Sequence, residues 1–176
     1  TYIPDGAFRN CTSLALTSLP SGIMSIRNNA FAGCTSLALT SLPDGVTLIQ
    51  ASAFQGCTSL ALTSLPGNLT TIGSSAFSGT RCFTNLEINA TSIGELAFAD
   101  CGTLQSVWIR NSCTTISASQ RSVSPFYKCT SSLNIYVEAS SKPSGWGSNF
   151  DRVGRDGMDF AIVTYGVTTS PFIEDA

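Results

Sequence analysis

Apolar positions along this chain return in blocks of fixed length. From Cys11 it reads Cys-Thr-Ser-Leu-Ala-Leu-Thr-Ser-Leu-Pro, and that string recurs unchanged at Cys34–Pro43 and Cys57–Pro66, a step of 23 residues each time. Around it runs a longer pattern, Ile-x-x-x-Ala-Phe-x-x-Cys, at Ile3 to Cys11, Ile26 to Cys34 and Ile49 to Cys57. It continues at Ile72 to Phe77 with Thr80 in the cysteine slot, at Ile93 to Cys101, and in a looser copy carrying Ile116, Phe126 and Cys129. The phenylalanines therefore step by 23, 23, 23, 21 and 28 residues. Leu14-Ala15-Leu16-Thr17 alternates apolar and small residues, which predicts a strand with one buried face. Pro20, Pro43 and Pro66 stop that strand, because proline has no N–H for a ladder. Ser21-Gly22 and Asp44-Gly45 turn the chain, and Ile23 with Ile26 forms a second short apolar stretch. Ala-Phe-x-x-Cys predicts a tight helical or 3₁₀ turn with its Phe inward. Proline and glycine punctuate every unit, which argues against pairs of amphipathic helices.

A period of this length lies within the range of leucine-rich repeats, each unit being one coil of a solenoid. Equivalent residues of stacked coils lie about 4.8 Å apart, so Leu14, Leu37 and Leu60 form one ladder and Phe8, Phe31, Phe54, Phe77 and Phe98 another. A buried Leu or Phe contributes about 1.5–3 kcal/mol, against a backbone ordering cost of about 1–2 kcal/mol per residue. One coil alone comes out near zero; stacking supplies the surplus.

The unit L-x-L-x-x-L-P-x-G-[IV]-x-x-I-x-x-x-A-F-x-G-C resembles the BspA-like, or Treponema pallidum-type, leucine-rich repeat, from about Ile3 to Val137. The first units space their leucines as Leu14, Leu16 and Leu19, whereas a later one has the commoner Leu104, Val107 and Ile109. The resemblance implies a solenoid of short parallel strands, with a bacterial cell-surface or secreted location and adhesion or protein binding in place of catalysis. It assigns residues 1–137 to a repeat array of about six coils whose first is truncated, with upstream coils or a cap expected before it. Residues 138–176 are expected to form an irregular β cap and tail, with Trp146 or Phe150 folding over the final coil, a strand at Met158–Tyr165 and a frayed end from Thr168.

Composition narrows the chemistry. Without histidine, there is no Ser-His or Cys-His nucleophile pair and no His-based metal site. Charged residues are 11% of the chain with a net charge of −2, no footing for a nucleic-acid partner. No apolar run approaches the roughly 20 residues that span a bilayer, and the first residues show no signal peptide. Five of seven cysteines repeat one structural slot (Cys11, Cys34, Cys57, Cys101, Cys129), which reads as a buried free-thiol ladder, and Thr80 shows that a small side chain suffices there. Cys82 and Cys113 fall outside the ladder and are the expected partners of any disulfide. The acids Asp5, Asp44, Glu87, Glu95, Asp100 and Glu138 are scattered, and neither Lys128 nor Lys142 sits in a Ser-x-x-Lys arrangement, so no catalytic residue, metal ligand or cofactor site is assigned. Asn10-Cys11-Thr12, Asn68-Leu69-Thr70 and Asn89-Ala90-Thr91 match the glycosylation acceptor pattern.

Strand alternation picks out one surface. If Leu14 and Leu16 point inward, one outward row reads Ala15, Ala38, Ala61, Glu87, Trp108, Tyr136 and the next Thr17, Thr40, Thr63, Asn89, Arg110, Glu138. Aromatic and Arg side chains dominate binding hot spots, so Glu87, Trp108, Arg110, Tyr136 and Glu138 are the expected partner-binding residues. The opposing reading covers Trp108 and Tyr136 with the cap near Trp146 and pairs Arg110 with Glu138 as ordinary cross-strand neighbours. The function expected is non-catalytic adhesion or interaction with a protein or glycan on a host or neighbouring cell. Alternatives are a phage virion module, in a tail fibre or as decoration, and an accessory domain of a larger extracellular enzyme.

Overall fold

The computed structural model describes residues 1–153 and 159–172. The coils stack as a solenoid with two parallel sheets on different sides. The first sheet contains six two-residue strands, β1 (Tyr2–Ile3), β2 (Ser25–Ile26), β3 (Leu48–Ile49), β4 (Thr71–Ile72), β6 (Ser92–Ile93) and β8 (Thr115–Ile116), in that spatial order. Each pairs in parallel with Ile opposite Ile, so Ile3, Ile26, Ile49, Ile72, Ile93 and Ile116 make one buried column. The second sheet has the longer strands β5 (Asn85–Ile88), β7 (Ser106–Ile109), β9 (Asn134–Val137) and β12 (Ile162–Tyr165), ordered β12-β9-β7-β5 and all parallel. A small antiparallel pair, β10 (Arg152–Val153) and β11 (Asp159–Phe160), lies between β9 and β12 in sequence.

The phenylalanines stack in one column along the axis. Consecutive rings from Phe8 through Phe31, Phe54, Phe77 and Phe98 to Phe126 lie 5.2, 5.4, 5.4, 5.5 and 6.0 Å apart, their planes within 12° of parallel. At that separation parallel rings sit offset, an arrangement that the ring quadrupole favours. Phe83 adds an edge-on ring against Phe77 and Phe98. At the first coil Phe8 is only half-buried, beside an apolar recess of about 730 Å³ lined by Ile3, Leu16, Leu19 and Ile23 among others.

The Ala-Phe-x-x-Cys turn is not helical, contrary to expectation. In the second coil the amides of Asn29, Phe31 and Gly33 donate to Ala51, Ala53 and Gln55 of the next coil, while those of Ala30, Ala32 and Cys34 close local turns on Arg27, Asn29 and Phe31. A helix would send every amide along its own axis. Residues with positive φ, Asn29 (55°) and Gly33 (74°), break that direction and turn alternate amides outward to the neighbouring coil. The position before the cysteine slot is left-handed in each coil: Asn10, Gly33, Gly56, Gly79, Asp100 and Lys128. Glycine adopts this conformation without cost, and Asn and Asp tolerate it.

The strands expected at Leu14–Thr17 and its two copies are also absent as strands. These coils are joined there by separate bonds, Ala38 N–H to Leu16 and Thr40 N–H to Thr17, then Ala61 N–H to Leu39. The leucine spacing explains this. Leu37, Leu39 and Leu42 are buried in an early coil, whereas Leu104, Val107 and Ile109 are buried in a late one. The late spacing leaves a four-residue pleated run followed by Arg110, whose amide donates to Ile88, as that of Glu138 does to Ile109. Early coils have proline at the Arg110 position, counted from the cysteine slot, and lose that donor.

Beyond residue 137 the chain both closes the first sheet and extends the second. Trp146 bridges Ile116 of β8, donates its indole N–H to the Cys113 carbonyl, and packs edge-on against buried Phe150. The expected strand at Met158–Tyr165 is divided between β11 and β12, with Met158 outside the described residues, as are positions 173–176 of the expected tail. β12 pairs with β9 over four residues, in the manner of β9 with β7.

The left-handed position makes a paired prediction. Gly56→Ala should cost about 1–2 kcal/mol, since its φ of 70° is unfavourable for any Cβ. Lys128→Gly, removing that strain at φ 61°, should stabilise by up to about 1 kcal/mol. Denaturant melts followed by circular dichroism read both signs.

Candidate functional site

The late coils build an outward face from strand alternation. Leu86 and Ile88, Val107 and Ile109, and Ile135 and Val137 point into the core. Between them Glu87, Trp108 and Tyr136 lie side by side, with Thr164 of β12 next in line. Arg110 follows β7 and reaches both ways: its Nη1 donates to Glu87 Oε1 at 2.8 Å and its Nε to Glu138 Oε2 at 3.1 Å. The same Glu138 oxygen accepts the Asn111 amide at 2.8 Å. The Arg110 guanidinium also lies 4.2 Å from the centre of the Trp108 ring. The structure thus brings all five sequence-predicted residues into one cluster.

Charge is fixed within this cluster. The Asn111 amide and then the Arg110 guanidinium hold the Glu138 carboxyl below the usual range. The hydrogen bond to Glu138 raises Arg110 further. Arg110 and Glu87 are 31% and 39% exposed, so each pair adds no more than about 1 kcal/mol. What the arrangement supplies is orientation.

Two expectations are corrected. Trp108 faces the expected side, yet it is only 3% exposed: the Arg110 guanidinium lies over its ring and its indole N–H donates to the Val167 carbonyl at 3.1 Å. The cap segment that reaches it is the one after β12, not the Trp146 region. Tyr136 is half-buried. The outward rows are also offset: Ala61 stands four positions after its slot residue Cys57, whereas Glu87 stands seven after Thr80, so the early alanines and the late cluster belong to different columns. Of the acceptor asparagines, Asn68 sits in an exposed turn, Asn10 is exposed, and half-buried Asn89 donates to Glu87 Oε1.

All seven cysteines are free thiols, Cys82 and Cys113 included. The slot does more than fill space. The thiols of Cys34, Cys57, Cys101 and Cys129 donate to the carbonyls of Phe8, Phe31, Phe77 and Phe98 in the preceding coil, at 2.9–3.2 Å. Thr80 donates instead to Phe77 of its own coil. Burial pushes Cys57, Cys101 and Cys113 up to about 12, and Cys82 up to about 11. Among the described residues no group of three or more Cys, Asp or Glu side chains is placed to hold a metal ion, and no helix is long and apolar enough to cross a membrane.

These thiols make a second prediction. A disulfide reagent at about pH 8 should react at once with exposed Cys11 and with the five buried cysteines only on unfolding. The folded state keeps its thiol protons above pH 9.0, the ordinary value, where the unfolded chain releases them. Stability is therefore fully present below that pH and should fall as pH rises toward about 12, read as a declining melting temperature.

Comparison with known proteins adds three findings. Residues 1–133 match a BspA type leucine-rich repeat region model in six copies. A leucine-rich repeat protein from Bacteroides ovatus ATCC 8483 has 23% sequence identity and a TM-score of 0.55, over 95% of this chain and 55% of that one. A leucine-rich cell surface protein from Faecalibacterium prausnitzii A2-165 has 25% identity and a TM-score of 0.45, over 80% of this chain and 45% of that one. The chain thus spans about half the length of these two solved structures. No curated protein matches it.

Proposed function

The chain belongs to the BspA type leucine-rich repeat family, and from that premise we propose that it is a non-catalytic interaction module displayed outside the cell, holding a protein or glycan partner on the outward face of its late coils. Repeats of this type generally build interaction surfaces. The observation that carries the reading is the Arg110 clamp. A guanidinium held by Glu87 and Glu138 presents its remaining N–H donors in one orientation, and little side-chain freedom is left to lose when a partner docks. Half-buried Tyr136 lies between the clamp and β12 and supplies a rigid aromatic surface with a polar tip. The equivalent surface of the early coils offers Ala, Ser and Thr, which give a partner shape but no charge.

The test is a screen of the whole chain on a glycan array and on immobilised extracellular-matrix proteins. Arg110→Ala combined with Tyr136→Ala should weaken any binding found by tenfold or more, about 1.4 kcal/mol, while the chain still melts in one cooperative transition, lowered by the lost ion pairs and the half-buried ring. Thr17→Ala with Thr40→Ala should leave it intact. Equal binding by the Arg110 and Tyr136 double variant would remove this face from the reading, and silence on both panels would remove protein and glycan adhesion.

A further inference from the structure

The outward face of the late coils is partly occupied by the chain itself. After β12, Gly166 turns at φ 78° and its amide donates to Ala139, while the Val167 amide donates to Val137 at the end of β9. The Val167 carbonyl then receives the Trp108 indole N–H from β7, 59 residues away in sequence. Among the described residues this stretch is tied to the rest of the fold by main-chain bonds and by that side-chain bond. Its own side chains are poorly buried: Thr168 and Thr169 are exposed, and Val167, Ser170, Pro171 and Phe172 are half-buried. The preceding strand is no better anchored, with Ile162 60% exposed and only Val163 and Tyr165 packed partly on the core, whereas β7 and β9 bury Val107, Ile109, Ile135 and Val137. Segments held by solvent-facing main-chain bonds with little apolar burial open locally before the rest of a fold.

We propose that residues 166–172 are a displaceable strap, and that the partner for which it stands in is an uncharged, extended polypeptide that lies on the same path and gives a main-chain carbonyl to Trp108. This deepens the reading of the face as an interaction surface and rests on it. The partner's chemistry follows from the occupant. Trp108 offers one donor and no acceptor, so whatever replaces the strap must bring an acceptor or leave a buried N–H unpaired. The β9 end offers the carbonyls of Val137 and Ala139, which take main-chain amides. The strap itself, Gly-Val-Thr-Thr-Ser-Pro-Phe, carries no charge, and the acids beside it are already engaged by Arg110. A peptide with a free Arg or Lys gains little there, and one with an acidic side chain meets Glu87 and Glu138.

Amide exchange on the full chain, followed by NMR, is the first arm of the test. The Gly166 and Val167 amides should exchange at least tenfold faster than those of Arg110 and Glu138, although all four are hydrogen-bonded. In the second arm Gly166→Val forces a β-branched residue into the left-handed region. It should red-shift tryptophan emission by exposing Trp108, a shift lost when Trp108→Phe is added and only Trp146 remains. A synthetic peptide copying residues 162–172, which contains no tryptophan, should then restore the blue-shifted emission saturably. Strap amides as slow as those of Glu138, or an opened strap on which the peptide has no effect, would overturn the proposal. If Gly166→Val shifts the whole melting curve, Trp108→Phe alone takes its place: it should accelerate exchange at Gly166 and Val167 and leave Glu138 unchanged, and no acceleration overturns the strap. A strap that never opens leaves the Arg110 and Tyr136 binding results standing, so the two readings fail separately.

Discussion

Alternate amides of the first five Phe turns reach the next coil, and the rest of the molecule is organised by that bond. Because Asn29, Phe31 and Gly33 donate across while Ala30, Ala32 and Cys34 close local turns, neighbouring coils lock in register at every second residue. Register of this kind acts as translational symmetry on side chains. Each residue meets its own equivalent one coil away, so a side chain is retained where it packs well against a copy of itself. Phenylalanine does so by offset stacking and isoleucine by β-branched contact, and these two types form the unbroken columns.

The same symmetry accounts for cysteine. The carbonyls of Phe8, Phe31, Phe54 and Phe77 already accept the amide three residues on, and a second lone pair faces the following coil. The slot residue must be small enough to sit inside the turn, must tolerate burial, and must donate toward that carbonyl. A thiol meets all three conditions with little desolvation penalty, and its raised pKa keeps the proton in place. Thr80 donates as well, but its shorter reach turns the hydroxyl to its own coil.

The parts of the structure that are pure repetition were legible in the residue order, and those that depend on backbone direction or distant chain were not. The Phe and Ile columns follow from period alone. The non-helical turn does not, because its left-handed residues are Asn29, Ser52, Ser75 and Leu96 as well as Gly33, Gly56 and Gly79. Only the glycine before the cysteine slot betrayed it. The missing early strands had a signal in Pro20, Pro43 and Pro66, which were read as ending a ladder that they prevent. The cluster at Arg110 was legible because Glu87, Trp108 and Tyr136 share a strand position. The cover over Trp108 was not, since Val167 lies 59 residues away and carries no mark of its destination.

Translational stacking also decides where recognition can reside. A charged side chain repeated from coil to coil would face its own kind at about 4.8 Å, a destabilising pair. The chain avoids this in every column that carries charge: Asp5 is followed by Asn28 and Ala51, Arg9 by Ala32 and Gln55, Arg27 by Gln50 and Gly73, and Asp100 by Lys128. Coils copied without change are therefore confined to uncharged outward residues at the copied positions, and the recurring Thr-Ser and Ala-Leu-Thr meet that condition. Charge enters where copies have drifted, and there it enters with alternating sign, Glu87, Arg110 and Glu138 in successive coils. Drift is then what a repeat array needs in order to acquire a specific surface. The register that makes Glu87, Trp108 and Tyr136 neighbours also makes their surroundings unlike any other part of the rod.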